Sequence, residues 1–277
     1  MQHSVFMLKP KFALAIFLFT FFCFVTIFTN KSSADTKYGA MVGERLIYNV
    51  HWMGIPAGLA TMDRKSASEG KYKLEATIKA AGMVKLLHNI RDTLSSDGNL
   101  PATAEYQTEI YNKDQRSKKR VRQTNYKFNR KNYTVIRHRK GEKINELKVS
   151  SPIINDPLAV FYTLRSLPEL KPHHTYSFPT IHSKKEFLMR VEVGKITEKN
   201  TSLGWFNVIP ITLKIPKNGG LHTKDEAIDI WLTADDRRMP LRVETRLSLG
   251  GVAADLVEYF DGLGGHGELE EYMEDDD

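Results

Sequence analysis

The sequence predicts an all-β protein built from antiparallel strands. Apolar and polar residues alternate through most of the chain, and turn-forming residues separate the alternating runs. The chain has 277 residues, of which 41% are hydrophobic and 26% charged, and this composition excludes a disordered or low-complexity protein. A mean hydropathy of -0.38 excludes a polytopic membrane protein. We expect an antiparallel open or closed β-barrel of about ten to twelve strands, because this arrangement leaves few strand edges exposed.

Alternation is clearest in residues 74–80, 187–193 and 241–247, where alternate side chains are apolar with the single exception of Thr245. Such strands bury one face and expose the other, as antiparallel sheets do. Residues 54–58, with the sequence Gly-Ile-Pro-Ala-Gly, predict a tight connection in which both glycines adopt positive φ angles. Because no helix follows each strand at regular intervals, the sequence does not predict a parallel sheet.

One short helix interrupts the strands near residues 156–166. Asn155 and Asp156 supply an N-cap, and Pro157 takes the first helical position. Apolar residues follow at helical spacing, and Pro168 ends the segment. Arg165 lies near the helix C-terminus, where its charge complements the helix dipole. The surrounding region is the seam between two halves of a single β-domain.

The first 34 residues resemble a secretory signal peptide. Two lysines precede an uncharged, largely apolar run over residues 12–28, and the small residues 32–34 provide a cleavage site. We expect export to the periplasm, with an uncleaved inner-membrane anchor as the alternative. Cleavage removes Cys23, the single cysteine, and leaves a β-domain over residues 35–262. Residues 263–277 form a glycine-rich and then acidic tail that we expect to be disordered.

Several short stretches of sequence occur together in a fixed order. They are residues 44–50 with 54–58, 155–165, 231–243 and 250–256. This set resembles the DUF3108 family, exported bacterial proteins of unassigned function, over about residues 43–260. The resemblance implies an antiparallel barrel-like β-fold and a location in the cell envelope. It supplies no catalytic residues, and it extends neither to the basic stretch described next nor to the acidic tail.

Residues 113–143 form the strongest charge feature, with thirteen Lys and Arg residues and only two acids. Behind a signal peptide this pattern does not indicate nucleic-acid binding. It favours an anionic envelope partner, namely a lipid, lipopolysaccharide or acidic polysaccharide, and peripheral contact with a membrane. The alternatives are a solvated hairpin, edge strands protected by charge, or contact with the acidic tail. The candidate ligand-binding residues are Arg116, Lys118, Arg120, Arg122, Arg137 and Arg139, and the first four are predicted to share one strand face.

Enzyme signatures are absent from the sequence, which has no nucleophile elbow, zinc-protease motif or phosphate-binding loop. His173, His174 and His182, and separately His222, lack the spacing of metal ligands. We therefore expect no enzymatic activity, no metal and no cofactor. The three tryptophans either line a ligand-binding interior or pack in the core; they are Trp52, Trp205 and Trp231.

Two functions remain open at this point. The first is a non-enzymatic periplasmic protein that binds or carries a lipid or another anionic or amphiphilic component of the envelope. The second is an envelope structural or assembly protein that docks a protein partner through its basic hairpin and acidic tail. A hollow apolar interior would favour the first function, and a solid core would favour the second.

Overall fold

The computed structural model describes residues 38–87, 89–103, 105–216, 226–247 and 250–268. The predicted signal peptide and the acidic residues 269–277 lie outside these residues. Sixteen strands and two helices lie within the described ranges. The strands are β1 (Arg45–Trp52), β2 (Ile55–Lys65), β3 (Lys71–Ala80), β4 (Arg91–Asn99), β5 (Gln107–Ser117), β6 (Arg120–Asn129), β7 (Thr134–Arg139), β8 (Asn145–Lys148), β9 (Thr175–His182), β10 (Lys185–Val193), β11 (Thr197–Thr201), β12 (Gly204–Ile215), β13 (Glu226–Thr233), β14 (Pro240–Leu247), β15 (Gly250–Phe260) and β16 (His266–Glu268). The helices are α1 (Gly82–Leu87) and α2 (Pro157–Arg165).

The strands form one antiparallel sheet in the order β8-β7-β6-β5-β4-β3-β2-β1-β15-β14-β13-β12-β10-β9, with β11 paired to β12 and β16 to β15. No ladder joins β8 to β9 in the described part of the chain, so the sheet is open. An isolated parallel bridge between Asn155 and Thr180 connects the segment before α2 to β9. The predicted antiparallel barrel-like fold is confirmed in its open form.

Helix α2 fills the interior of the curled sheet. Every residue from its second position to its end is buried, including Leu158, Tyr162 and Leu164. These side chains share one hydrophobic cluster with Leu74 of β3 and Ile211 of β12, which come from opposite halves of the sheet. We call the sheet face that packs on α2 the inner face. The core is therefore solid around α2. This packing excludes a hollow, ligand-enclosing barrel interior in the part of the sheet that the helix occupies.

The N-terminus of α2 is fixed by a buried carboxylate. One oxygen of Asp156 accepts hydrogen bonds from the backbone N–H groups of Leu158 (2.8 Å) and Ala159 (3.1 Å), as the sequence predicted for an N-cap. The other oxygen accepts from the hydroxyls of Ser96 (2.6 Å) and Thr108 (2.7 Å). Burial raises the pKa of Asp156, and these four hydrogen bonds oppose that shift. The cap therefore ties the helix to strands β4 and β5.

The C-terminus of α2 is fixed by a buried ion pair. The Arg165 guanidinium donates to both carboxylate oxygens of Glu44, at 2.8 and 2.6 Å, and its Nε donates to the Arg238 carbonyl at 2.9 Å. Neither side chain is more than 2% exposed. Burial alone would lower the pKa of Arg165, but the Glu44 carboxylate raises it above its ordinary value. Arg165 thus joins the helix to the chain before β1 and to the β13–β14 connection.

Two local features differ from the sequence prediction. Helix α1 was not predicted, because its six residues begin at Gly82 without a capping residue. The connection between β1 and β2 comprises only Met53 and Gly54, which both have positive φ, as in a type I′ turn. Gly58 lies inside β2, so the prediction that it also adopts positive φ in this turn was wrong.

Replacing Glu44 with glutamine should destabilise the fold by about 3–5 kcal/mol, because the Arg165 charge would stay buried without its counter-ion. The midpoint of urea unfolding measures this loss. Glu192→Gln is the matched control, since Glu192 pairs with Lys214 at 2.5 Å but both side chains are about half exposed. The control should cost less than about 1 kcal/mol. Equal losses in the two variants would contradict a structural role for the buried pair.

Candidate functional site

The inner face is left uncovered by α2 at one end of the sheet. This end, called the groove end, is formed by the β1–β2, β3–β4 and β5–β6 connections. Side chains paired directly across neighbouring strands share one face. Val252 pairs with Trp52, Val50 with Gly58, and Gly58 with Ala80, so this row is apolar.

The same face continues onto strands β4 to β6 but changes its chemistry. Ile78 pairs with Asp92, Asp92 with Gln115, and Gln115 with Arg122. Across these four strands the row therefore changes from apolar on β3, through acidic and amide side chains on β4 and β5, to cationic on β6. Lys113 lies diagonally next to Arg122 on this face, because its direct partner on β6 is Thr124, two residues from Arg122. One continuous surface thus presents both an apolar and a basic part.

The apolar part forms a groove of about 340 Å³. Trp52 and Val252 lie on one side, and Val84 of α1 and Ile90 lie on the other. Gly58 lies in the groove where strands β2 and β3 approach closely, since a Cβ atom there would lie 2.2 Å from the Lys79 carbonyl oxygen. This volume is at the lower end of the range for small-molecule sites. The groove fits a narrow apolar ligand.

The basic part forms an adjoining pocket of about 220 Å³. Its lining residues are Ile90, Asp92, Gln115, Arg116, Ser117, Arg120 and Arg122. Ile90 also lines the apolar groove, so the two sites share a wall. Arg116 donates to both oxygens of Asp114 at 3.0 and 2.6 Å. Within the described residues, no carboxylate pairs with Arg120 or Arg122, which leaves both guanidinium groups available to an anion.

The predicted basic row is split between two faces of the sheet. Lys118 and Lys119 form the two-residue turn between β5 and β6, and Arg116 pairs with Val121 across it. Arg120 and Arg122 therefore lie on the face opposite to Arg116. The prediction of one shared face was wrong, because a period of two applies only within a strand and fails across a turn.

Arg137 and Arg139, the other two candidate residues, belong to an ion-pair network. Both donate to Glu142, at 3.0 and 2.7 Å respectively. These hydrogen bonds lower the pKa of the Glu142 carboxylate. Arg137 is buried on the inner face of β7, where Tyr126 is its direct partner. These two arginines fix the β7–β8 hairpin and do not line the basic pocket.

A second, wider groove of about 520 Å³ lies on the outer face of strands β3 to β7. Its amide and hydroxyl groups bind one another. Asn125 donates to the side-chain oxygen of Asn112 at 2.7 Å, and Asn112 donates to Ser95 at 3.2 Å. Gln123 donates to Asp114, which is already paired with Arg116. Because these side chains hydrogen-bond one another, this groove leaves fewer polar groups for a ligand than the basic pocket does.

The tryptophans have three different environments. Trp52 lines the apolar groove at the end of the sheet, which is neither a hollow interior nor the packed core. Trp205 is exposed on β12. Trp231 packs against a hydrophobic cluster, with the Arg242 guanidinium 5.5 Å from its ring centroid. The sequence alone did not reveal this groove as a binding site. Its one visible signal was Trp52 two residues before a glycine turn.

The described residues contain neither a metal-binding cluster nor a membrane-spanning helix. In this part of the chain, no group of three or more His, Cys, Asp or Glu side chains could hold a metal ion. Neither described helix is long and apolar enough to cross a bilayer. His174 stacks edge-on against Tyr176 at 4.7 Å, and His182 lies beside Lys113 on the inner face.

The family model for DUF3108, described as a protein of unknown function, matches residues 47–257. The chain belongs to the DUF3108 family. No curated protein matches this DUF3108 chain. A solved β-barrel-like protein of the family DUF1849 from Brucella abortus is similar to it in fold, with a TM-score of 0.50 at 11% sequence identity, covering 79% of this chain and 98% of that one. The protein CT021 of Chlamydia trachomatis matches with a TM-score of 0.37 and 10% identity, covering 89% of this chain and 98% of that one.

The position of His182 leads to a prediction about pH. Its Nε2 is buried without a hydrogen-bond partner in the described structure, and burial together with the Lys113 charge lowers the pKa of His182 to about 4. In the unfolded chain the imidazole takes up a proton near pH 6.5. Stability should therefore fall as pH drops from 6.5 towards 4, by about 2 kcal/mol at pH 5.

Urea unfolding of the wild type and His182→Gln at pH 7.5 and pH 5.0 measures this contribution. The variant should lose less stability on acidification than the wild type. His138→Gln is the control, because His138 is exposed on β7, and it should respond to acid as the wild type does. The prediction fails if His182→Gln and the wild type lose the same amount.

Proposed function

We propose that this DUF3108 protein is a non-enzymatic periplasmic protein that binds an anionic amphiphile with a single acyl chain. The acyl chain lies in the apolar groove, and the anionic head group contacts Arg120 and Arg122. One observation carries the proposal: Ile90 is shared by the apolar groove and by a pocket whose Arg120 and Arg122 pair with no carboxylate of the described residues. A mainly apolar site with a few well-placed polar groups is the usual composition of a ligand pocket.

The groove can supply enough free energy for selective binding. Each buried methylene contributes about 0.8 kcal/mol, so eight of them contribute about 6 kcal/mol before the costs of association. A phosphate or carboxylate adds charge-assisted hydrogen bonds from the guanidinium groups. Arginine suits this role because its planar guanidinium matches the geometry of both anions.

The solid core determines how a ligand would be held. Helix α2 occupies the space that a lipid would need inside a closed barrel. The proposed ligand therefore lies at the groove end, partly exposed, and is held less tightly than a ligand enclosed by a barrel. This geometry supports reversible binding or handover of an envelope component better than long-term storage.

Docking of a protein partner is the second candidate function, and the solid core favours it. In that case the exposed turn of Lys118 and Lys119 and the acidic tail would be the contact sites. Capture of partners by the exported protein, with and without the residues after Gly267, tests this candidate. A partner set that does not depend on the tail, together with specific amphiphile binding, would favour the first function.

The two arginines of the basic pocket should determine affinity for the head group. Arg120→Gln with Arg122→Gln should weaken binding of decyl phosphate at least tenfold, because two charge-assisted contacts are lost. Isothermal titration below the critical micelle concentration measures the change. Lys127→Gln with Lys131→Gln is the control, since it removes the same charge from exposed sites outside the pocket. An equal loss in the control would mean that the arginines act only through the overall positive charge and not through contacts in the pocket.

The groove should determine affinity for the acyl chain. Ile78→Ser replaces an apolar wall residue that is 48% exposed, and it should weaken decyl phosphate binding about tenfold. The loss should be smaller for hexyl phosphate, whose shorter chain buries less of the wall. Ile136→Ser, at a residue on β7 with 39% exposure, is the matched control and should leave titration unchanged. If Ile78→Ser bound decyl phosphate with wild-type affinity, the acyl chain would have to lie outside the groove.

A further inference from the structure

The groove end exposes large apolar side chains on three separate connections. They are Met53 (68% exposed), Ile55 (62%), Met83 (71%), Leu86 (72%) and Val121 (64%). Single exposed apolar residues are normal on soluble proteins, but a group of them at one end marks an interaction surface. None of these five lines the apolar groove or the basic pocket.

The three connections lie against one another. Trp52, Val84 and Ile90 line one groove, which brings the β1–β2 and β3–β4 connections together. The Lys118 ammonium donates to the backbone carbonyl of Leu86, which joins the β5–β6 turn to α1. The apolar tips therefore belong to one contiguous surface. We call residues 52–55, 80–87, 89–91 and 116–121 the apolar–basic rim.

The charge of the rim has a single sign. Its sequence contains six Lys and Arg residues and no Asp or Glu; they are Lys85, Arg91, Arg116, Lys118, Lys119 and Arg120. The connections at the other end of the sheet carry acids, including Glu69, Glu105, Asp235, Asp236 and Asp261. These acids are accompanied there by Arg130, Lys131, Arg237 and Arg238, so that end has mixed charge and attracts a negatively charged surface less than the rim does.

We propose that the apolar–basic rim docks on an anionic lipid bilayer. The apolar tips enter the head-group region while the lysines and arginines contact lipid phosphates, which is the combination that interfacial membrane-binding segments use. Each cation near an anionic surface contributes about 1 kcal/mol. The inference extends the proposed function, because the groove mouth then opens at the bilayer from which an amphiphile comes.

Vesicle flotation tests the docking. The probe is a vesicle of phosphatidylglycerol and phosphatidylethanolamine, with phosphatidylcholine vesicles as the neutral comparison. The protein starts at Asp35, which retains all described strands, helices and core residues. It should bind the anionic vesicles at least tenfold more strongly than the neutral ones. Lys85→Glu with Lys119→Glu should abolish the difference, and Met53→Ser with Leu86→Ser should weaken binding to anionic vesicles at least tenfold.

The control is Lys127→Glu with Lys131→Glu, which makes the same change of charge away from the rim. It should retain most of the vesicle binding. Equal losses in this control and in the rim charge variant would overturn the proposal, and so would equal wild-type binding to both kinds of vesicle. A protein that stays off the vesicles but forms dimers sensitive to the rim substitutions would assign the surface to a second copy of the chain.

Failure of docking and failure of amphiphile binding can be separated. Lys85→Glu with Lys119→Glu leaves the groove residues and Arg122 unchanged, so titration with decyl phosphate should change less than threefold. Ile78→Ser should bind vesicles as the wild type does, because Ile78 lies in the groove wall and outside the exposed tips. If both variants lose both activities together, the rim and the groove are one site and the docking proposal is wrong.

Discussion

Burial of helix α2 with a charged residue fixed at each end holds the two halves of the sheet together. Asp156 binds β4 and β5 at one end, and Arg165 binds Glu44 and the β13–β14 connection at the other. If Asp156 or Arg165 lost its binding partners, a charge would be left unpaired in the core. The helix is therefore held in one position. Strands from both halves pack on this helix, and the open sheet consequently curls without a ladder between β8 and β9.

The length of this helix explains why a groove exists. Nine residues of α-helix extend about 13 Å, whereas the eleven residues of β2 or β5 extend about 36 Å. In any orientation the helix covers only part of the inner face. The remainder lies at the groove end, where α1 and the short connections cover it incompletely. The site is thus a consequence of an open sheet wrapped around a core element that is shorter than its strands.

Alternation and capping were sufficient to predict the sheet and α2, because both depend on local sequence. The 187–193 run and the Asp156 cap illustrate this. The basic site was predicted only in part. No Gly, Pro or Asn marks the turn at Lys118 and Lys119, so the sequence concealed the change of face between Arg116 and Arg120. The groove depends on pairing between strands, which spacing along the chain does not reveal.

One hairpin supplies cations to both proposed surfaces: the exposed Arg120 belongs to both of them, whereas Arg122 belongs to the basic pocket alone. Lys118 and Lys119 are exposed at the turn, whereas Arg122 is half-buried beside Gln115 on the inner face. Salt at physiological strength screens exposed charges beyond about 8 Å but weakens partly buried contacts much less. Attraction to a bilayer would therefore be sensitive to ionic strength, while the contact between Arg122 and an anionic head group would weaken less.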